Sequence, residues 1–78
     1  MYSVDNFMRN DLYPRFGRNL RKARLKAGLS QMQIAKSIRA DKSYISNLEQ
    51  GKKNPTLFTI SKLAKGIGVS ISKLLQDI

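Results

Sequence analysis

The segment that most constrains the fold is GLSQMQIAKSIRADKSYISNLEQG, residues 28–51, which holds two short apolar-patterned stretches. The first stretch covers residues 31–38 and the second covers residues 42–50, and only Arg39, Ala40 and Asp41 separate them. Two helices joined by so short a connection must cross steeply, which is the helix-turn-helix arrangement. In that arrangement the second helix can enter the major groove of DNA while the first lies across the backbone.

Capping signals along the rest of the chain predict five helices around one core, an all-α fold class. Four apolar-patterned stretches each follow a residue whose side-chain oxygen suits an N-cap. These residues are Ser30, Asp41, Thr56 and Ser70. Pro14 suits the first turn of a helix, where its missing N–H costs nothing, so the first helix is predicted over residues 15–27. Glycines are predicted to end the helices, with Gly66 and Gly68 marking the end of the fourth.

The chain divides into two parts on this interpretation. Residues 1–13 form either a loose N-terminal arm or an extra helical turn, because Val4, Phe7 and Met8 recur at helical spacing. Residues 14–78 form one small helix-turn-helix domain whose last helices serve dimerisation. A core of this size is marginal, so helix packing, with or without a partner chain, must supply much of the stability.

The residue types that the chain lacks argue against enzyme chemistry. It contains no cysteine and no histidine, so it has no disulfide, no thiolate metal site, and neither the commonest general base nor the commonest metal ligand. Its five acidic residues include no pair among the first four at a spacing that suggests catalytic carboxylates or a cation cage. We therefore expect no enzyme, no cofactor and no metal site.

The charge balance points to a polyanionic partner. The formal net charge is +10, from 15 Lys and Arg residues against 5 Asp and Glu residues. DNA, RNA and an anionic membrane surface are the candidate partners for such an excess. No apolar run approaches the ~20 residues that span a bilayer, and charged residues interrupt any signal-peptide pattern at the start. A cytoplasmic protein with no membrane partner is expected.

The outward positions of the second stretch carry the candidate base-reading side chains. These are Lys42, Ser43, Ser46 and Asn47, and no acidic residue lies among them. Lys42 suits guanine O6 and N7, and Asn47 suits adenine or guanine edges, while the two short serines let a helix approach closely. The alternative is the solvated face of an ordinary helix, which would leave this surface free to carry acidic residues.

The chain resembles the Cro/C1-type (XRE) helix-turn-helix proteins over roughly residues 16–75. The matching pieces are LRKAR (20–24), GLSQ (28–31), IA (34–35), DKSYISNLEQGKKNP (41–55), KLAKGIGVS (62–70) and KLL (73–75). The resemblance implies a lambda repressor-like DNA-binding domain. DKSYIS, followed by GKKNPTLFTISKLAKGI, looks most like the controller proteins of restriction–modification systems. Those are small dimeric regulators without a ligand domain, so no small-molecule ligand is expected.

Further DNA contacts follow from the residues and from this resemblance. Gln31, at the start of the first helix of the pair, suits a phosphate, and relatives use the equivalent glutamine in this way. Tyr44 matches a tyrosine that touches DNA in controller-like relatives, although a partly buried packing role is equally open. Three residues after the recognition helix are expected to meet DNA, with Lys53 also reading a base unless they are screened surface groups. These are Lys52, Lys53 and Asn54.

Two positions depart from the family pattern, and one pair follows it. Arg39 stands where relatives have Gly or Asn in a left-handed conformation. Either Arg39 adopts this conformation at a cost of roughly 1 kcal/mol, or the turn differs slightly. Its guanidinium would lie near the DNA backbone. Met32 stands where relatives often carry Glu. The resemblance also suggests that Arg24 and Glu49 form an ion pair between the first and third helices.

A single recognition helix reads only about 4–5 base pairs, so a two-fold dimer on a palindromic operator is expected. Five apolar residues of the last two helices are candidates for the shared surface, unless they fill the core of one chain. They are Phe58, Ile71, Leu74, Leu75 and Ile78.

The predicted function is a DNA-binding transcription regulator of the controller type, with RNA polymerase as a further partner that it excludes or recruits. A phage-type repressor, or an antitoxin-type regulator whose main partner is a protein, is the alternative. A cationic membrane-surface peptide is disfavoured by the separately capped helices. RNA binding stays open, although the chain has no aromatic strand of the RNP type.

Overall fold

Five helices follow one another in the computed structural model, which describes the backbone of residues 4–78 and the side chains of residues 12–78. They are α1 (Val4–Lys26), α2 (Gln31–Ser37), α3 (Lys42–Glu49), α4 (Leu57–Ile67) and α5 (Ile71–Leu74). Residues 4–78 contain no strand, and none of their helices combines the length and apolarity needed to cross a membrane. The prediction of an all-α, five-helix fold is confirmed.

Side-chain caps begin the last four helices, as the sequence predicts. The Ser30 hydroxyl accepts a hydrogen bond from the Gln33 backbone N–H at 3.0 Å, and the Gln33 side chain accepts one from the Ser30 N–H at 2.7 Å. Thr56 and Ser70 accept from backbone N–H groups in the same way. Because each cap satisfies an otherwise free donor of the first turn, α2 begins at the predicted residue.

α1 is longer than predicted. It runs through Pro14 from Val4, so the prediction of a first helix over residues 15–27 is wrong at its N-terminal end. A proline inside a helix removes one backbone donor and costs about 3 kcal/mol or more, but α1 continues through Pro14, and Leu12, Phe16 and Leu20 keep a spacing of four residues across it. Residues 1–3, which belong to the predicted arm, lie outside the described residues.

The core draws on every helix. Leu20 of α1, Ile34 of α2, Ile45 and Leu48 of α3 and Leu63 of α4 are all essentially without exposed surface. α3 packs against both α1 and α2, while α5 packs against α1 and α4. The recognition helix of the predicted pair is therefore held from two sides by apolar contacts.

Leu74 also belongs to this core. Its exposed fraction is 0% in the single chain, so it has no surface to share with a second chain. The prediction that Leu74 lies in a dimer interface is corrected, because α5 turns this side chain toward α1 and α4. Helical periodicity alone does not distinguish the inward face of a short terminal helix from its outward face.

Two glycines allow helices to approach closely. A Cβ at Gly17 of α1 would lie 2.5 Å from the carbonyl oxygen of Glu49, at the end of α3. Gly66 lies inside α4 rather than at its end, and a Cβ there would lie 2.5 Å from the hydroxyl oxygen of Ser37 in α2. Gly17 thus sets how closely α3 lies on α1.

The turn between α2 and α3 is strained at Arg39. Its φ is 58°, which is the left-handed region that costs a residue with a Cβ about 1 kcal/mol or more. Of the two alternatives at this departure from the family pattern, a strained Arg39 or a different turn, the structure shows the strained residue. Asp41 caps α3 directly after this turn.

We expect Arg39→Gly to be more stable than Arg39→Ala by about 1 kcal/mol. Both variants lose the guanidinium, but only the alanine keeps a Cβ in the left-handed conformation. Chemical denaturation of the two variants measures the difference in the free energy of unfolding. Equal stabilities would show that the turn relaxes to another conformation in the alanine variant.

Candidate nucleic-acid interface

The outward face of α3 presents the four residues that the sequence singles out. Lys42 and Ser43 are exposed and Ser46 and Asn47 are half-buried, whereas Ile45 and Leu48 on the opposite face are fully buried. The polar side chains are therefore carried by a helix whose other side is anchored in the core. Such a face can enter the major groove of a duplex without rearrangement of the helix.

Hydrogen bonds within the protein determine whether each serine hydroxyl of this face acts as a donor or as an acceptor. Ser43 donates to the Asp41 carboxylate at 2.8 Å, and the same oxygen accepts the Tyr44 backbone N–H at 2.9 Å. These two bonds lower the pKa of Asp41, with the Ser43 hydroxyl as the larger cause. Ser43 is left with acceptor lone pairs for a base, while Ser46, which accepts from Gln50 at 2.9 Å, keeps a hydroxyl proton to donate.

Beside α3 lies an open groove of about 560 Å³. We call it the α1–α3 groove, and its lining includes Arg21, Arg24, Gln31, Lys42, Ser46 and Glu49. Three of the predicted contact residues, from α2 and α3, thus meet in one place. The lining carries three basic side chains against one acidic side chain, which suits an anion.

A buried ion pair ties this groove together. Arg24 donates to both carboxylate oxygens of Glu49, at 2.6 and 3.0 Å, and to the carbonyl oxygen of Leu29 at 3.0 Å. The two side chains are 10% and 5% exposed. The pair joins α1, the connection to α2, and α3 through a bidentate contact, the strongest geometry that such a pair adopts.

Gln31 joins the same network, which the sequence does not predict. Its side-chain amide donates to Glu49 at 3.1 Å, so the side chain is oriented from within the protein. One amide proton and the amide oxygen are left for another partner. The carboxylate of Glu49 therefore holds residues from both neighbouring helices.

The other predicted contact residues lie outside this groove. Tyr44 is half-buried and packs against the core. Lys52 and Lys53 are exposed in the segment after α3, and Asn54 lines a separate apolar cleft beside Leu12. Arg39 lines a third depression with Lys62 and Lys65.

Arg21 and Met32 are among the groove residues that were not predicted as contacts. Arg21 is exposed, and Met32 is 50% exposed although it is apolar. The signal for Arg21 was present, since it lies three residues before Arg24 and so on the same face of α1. The sequence alone, however, does not show that this face of α1 is directed toward α3.

A separate apolar surface lies on the last two helices. Phe58 is 69% exposed and Leu57 is 67% exposed in the first turn of α4, and the Lys62 ammonium lies 4.7 Å from the centre of the Phe58 ring. Ile71 and Ile78 are also exposed and Leu75 is half-buried. Leu57 was not among the predicted interface residues. These exposed apolar side chains are candidates for an interaction surface.

Comparisons with known proteins agree with this geometry. The helix-turn-helix family model matches residues 20–74. The chain is 41% identical over 70 residues to control protein C.MunI of a Mycoplasma species, covering 88% of this chain and 95% of that protein. It is 36% identical over 70 residues to control protein C.BamHI of Bacillus amyloliquefaciens, with coverages of 88% and 86%.

A solved structure shows the same likeness. The crystal structure of the restriction–modification controller protein C.AhdI from Aeromonas hydrophila superposes on this chain with a TM-score of 0.76 and 38% sequence identity. The match covers 82% of this chain and 96% of that one.

Proposed function

The chain belongs to the helix-turn-helix family, and from this premise we propose that it is a sequence-specific DNA-binding transcription regulator of the restriction–modification controller type. It works without catalysis, through occupancy of a site on duplex DNA. Bound across a promoter it excludes RNA polymerase, and bound beside one it recruits the polymerase. Its place of action is the cytoplasm, where bacterial DNA lies.

The observation that carries this proposal is the outward face of α3. Its polar side chains lie on a helix anchored by two buried residues, and the groove beside it has an excess of basic groups. Lys42, Ser43, Ser46 and Asn47 read base edges, and Lys53 reaches a further base beyond the end of α3. The likeness to two control proteins over most of their length supports the controller type.

The contacts with the DNA backbone come from the residues around this face. Phosphate contacts fix the register of a protein on the duplex, while base contacts supply the sequence preference. The five backbone contacts are Gln31, Arg39, Tyr44, Lys52 and Asn54. The network of Glu49 supports this role for Gln31, because it orients the side chain before DNA arrives.

We also propose that the regulator is a homodimer. One face of α3 reads too few base pairs for a specific site, and a two-fold pair places two such faces roughly 34 Å apart, one turn of DNA. The exposed side chains of Leu57 and Phe58, together with Ile71, Leu75 and Ile78, form the shared surface. Sedimentation equilibrium near neutral pH checks this, and a strict monomer at high micromolar concentration with operator present would contradict it.

Selection of bound sites from random duplex DNA tests the function. We expect an inverted repeat to be enriched, because a two-fold dimer binds two equivalent half-sites. A salt titration of the enriched site is expected to give a slope of log K against log salt of about −0.9 per neutralised phosphate. Recovery of no preferred sequence, with only salt-dependent binding to every duplex, would contradict sequence-specific regulation.

A further inference from the structure

Arg21 lies in the α1–α3 groove but belongs to a helix outside the helix-turn-helix pair. It belongs to α1, yet it lines the α1–α3 groove together with Gln31, Lys42 and Ser46. Its neighbour on the same face, Arg24, is held by Glu49 of α3 and by the Leu29 carbonyl. Because that anchor lies one helical turn away, the position of Arg21 relative to α3 is determined by the fold rather than by a flexible loop.

The positive charge of Arg21 is not balanced by an acidic side chain in the groove, so the side chain can bind an anion. Glu49 is the acidic residue of the groove, and its carboxylate already accepts bonds from Arg24 and Gln31. Among the described residues, the Arg21 side chain makes no ion pair or hydrogen bond. Arg21 and Lys42 therefore face one space as two uncompensated cations, and their mutual repulsion falls when an anion enters between them.

We propose that Arg21 binds a phosphate of the DNA backbone from the side of α1. The duplex strand that passes α3 is then held on two sides, by Arg21 and by the helix-turn-helix pair. The planar guanidinium matches two phosphate oxygens. The inference rests on the proposed function, and it adds a contact that neither α2 nor α3 supplies.

The contact has a measurable signature that differs from that of a base-reading residue. A phosphate carries no sequence information, so loss of Arg21 weakens binding to operator and to scrambled duplex by the same factor. Each lost phosphate contact also lowers the steepness of the salt dependence by about 0.9 in the slope of log K against log salt. A merely attractive surface charge without a fixed phosphate would not produce a residue-specific loss.

Lys22 provides a matched control. It is adjacent in sequence, carries the same charge and is exposed, but it lines a different depression, beside Asn19 and Lys73. Arg21→Gln and Lys22→Gln therefore change the net charge equally on the two sides of α1. Circular dichroism and thermal denaturation are expected to show both variants folded, because neither side chain is part of the core.

The experiment measures the Kd of wild type and both variants for the selected operator and for a scrambled duplex over a range of KCl concentrations. We expect Arg21→Gln to weaken binding of the dimer to both duplexes by roughly tenfold, with a salt slope that is less steep by about 1.8, because each of the two protomers loses one phosphate contact, and Lys22→Gln to leave the slope unchanged. Arg21→Lys is expected to restore the slope but not the full affinity, since an ammonium keeps the charge without the fork.

Two results would overturn the inference. Equal slopes for Arg21→Gln and Lys22→Gln would show that Arg21 supplies only general attraction, and a loss confined to the operator would show that it reads a base. Both results leave the proposed function intact if wild type still prefers its operator. Absence of any preference in wild type contradicts the proposed function instead, and the comparison on scrambled duplex still tests Arg21.

Discussion

Replacement of Lys42, Ser46 and Asn47 together by alanine is expected to abolish discrimination between operator and scrambled duplex while the fold is retained. Each good base contact contributes about 1–3 kcal/mol of discrimination, so loss of three contacts removes most of a specificity ratio that is typically about 10³–10⁷. The fold is retained because none of the three side chains is buried and alanine favours helix. Competition binding against scrambled DNA measures the ratio.

The matched control for this variant is a triple alanine substitution at Lys22, Ser61 and Gln76. These residues are exposed and lie outside α2 and α3. Their substitution removes one positive charge, as the α3 variant does. We expect the control to keep its preference for the operator with a small loss of affinity for all DNA. Operator preference that survives in the folded α3 variant would refute the assignment of α3 as the reading element.

Glu49→Ala is expected to lower the free energy of unfolding by about 3–5 kcal/mol. The substitution leaves the buried Arg24 guanidinium without its partner, and it also releases the Gln31 amide. A small domain has a total stability of only about 5–15 kcal/mol, so much of the population of this variant unfolds at moderate temperature. Urea denaturation followed by circular dichroism measures the loss.

A double-mutant cycle separates the ion pair from the rest of the site. Arg24→Ala and Glu49→Ala each leave one charge without its partner, so the double variant is expected to lose less stability than the sum of the two single losses. Additive losses would show that the two side chains act independently. An unchanged denaturation midpoint for Glu49→Ala, together with an altered base preference, would show instead that Glu49 acts on DNA rather than on the fold.

Gln31 links the Arg24–Glu49 ion pair to the proposed DNA contacts. Its side chain is oriented by Glu49, so a change in the buried network is transmitted to a proposed phosphate contact. Arg24 and Glu49 are thus expected to affect the proposed phosphate contact of Gln31 through this hydrogen bond. Variants of the ion pair that are still folded at low temperature are expected to bind all duplexes more weakly, because phosphate contacts position the protein on every sequence.

Sequence alone predicted the local parts of this molecule well. The caps at Ser30 and Asp41 define where α2 and α3 begin, because a capping residue acts on backbone groups only two or three positions away. At Arg39 the family resemblance left two possibilities, a strained residue or a different turn, and the φ of 58° shows the strained residue. Polar and apolar spacing within α3 separated the outward face from the buried one.

Arrangements between distant residues were not predictable in this way. Leu74 was expected at an interface and lies in the core, and the first helix was expected to begin near Pro14 but begins at Val4. The burial of Leu74 depends on what packs against α5 in space, whereas the helical spacing of Val4, Phe7 and Met8 had left an earlier helical segment open. The bond from Gln31 to Glu49 joins residues 18 positions apart, so it also appears only once α2 and α3 are packed.

Sequence by itself determined the helix-turn-helix pair, the caps that delimit it and the excess of positive charge, because these depend on neighbouring residues or on composition. Tertiary structure alone decided which way α1 faces. The backbone of α3 lies against Gly17, and the carboxylate of Glu49 forms an ion pair with Arg24. These two contacts fix the orientation of α1, and Arg21 therefore lies in the same groove as Lys42. Interactions between helices distant in sequence choose one orientation among several that the helical period allows, and that choice places α1 beside the proposed DNA site.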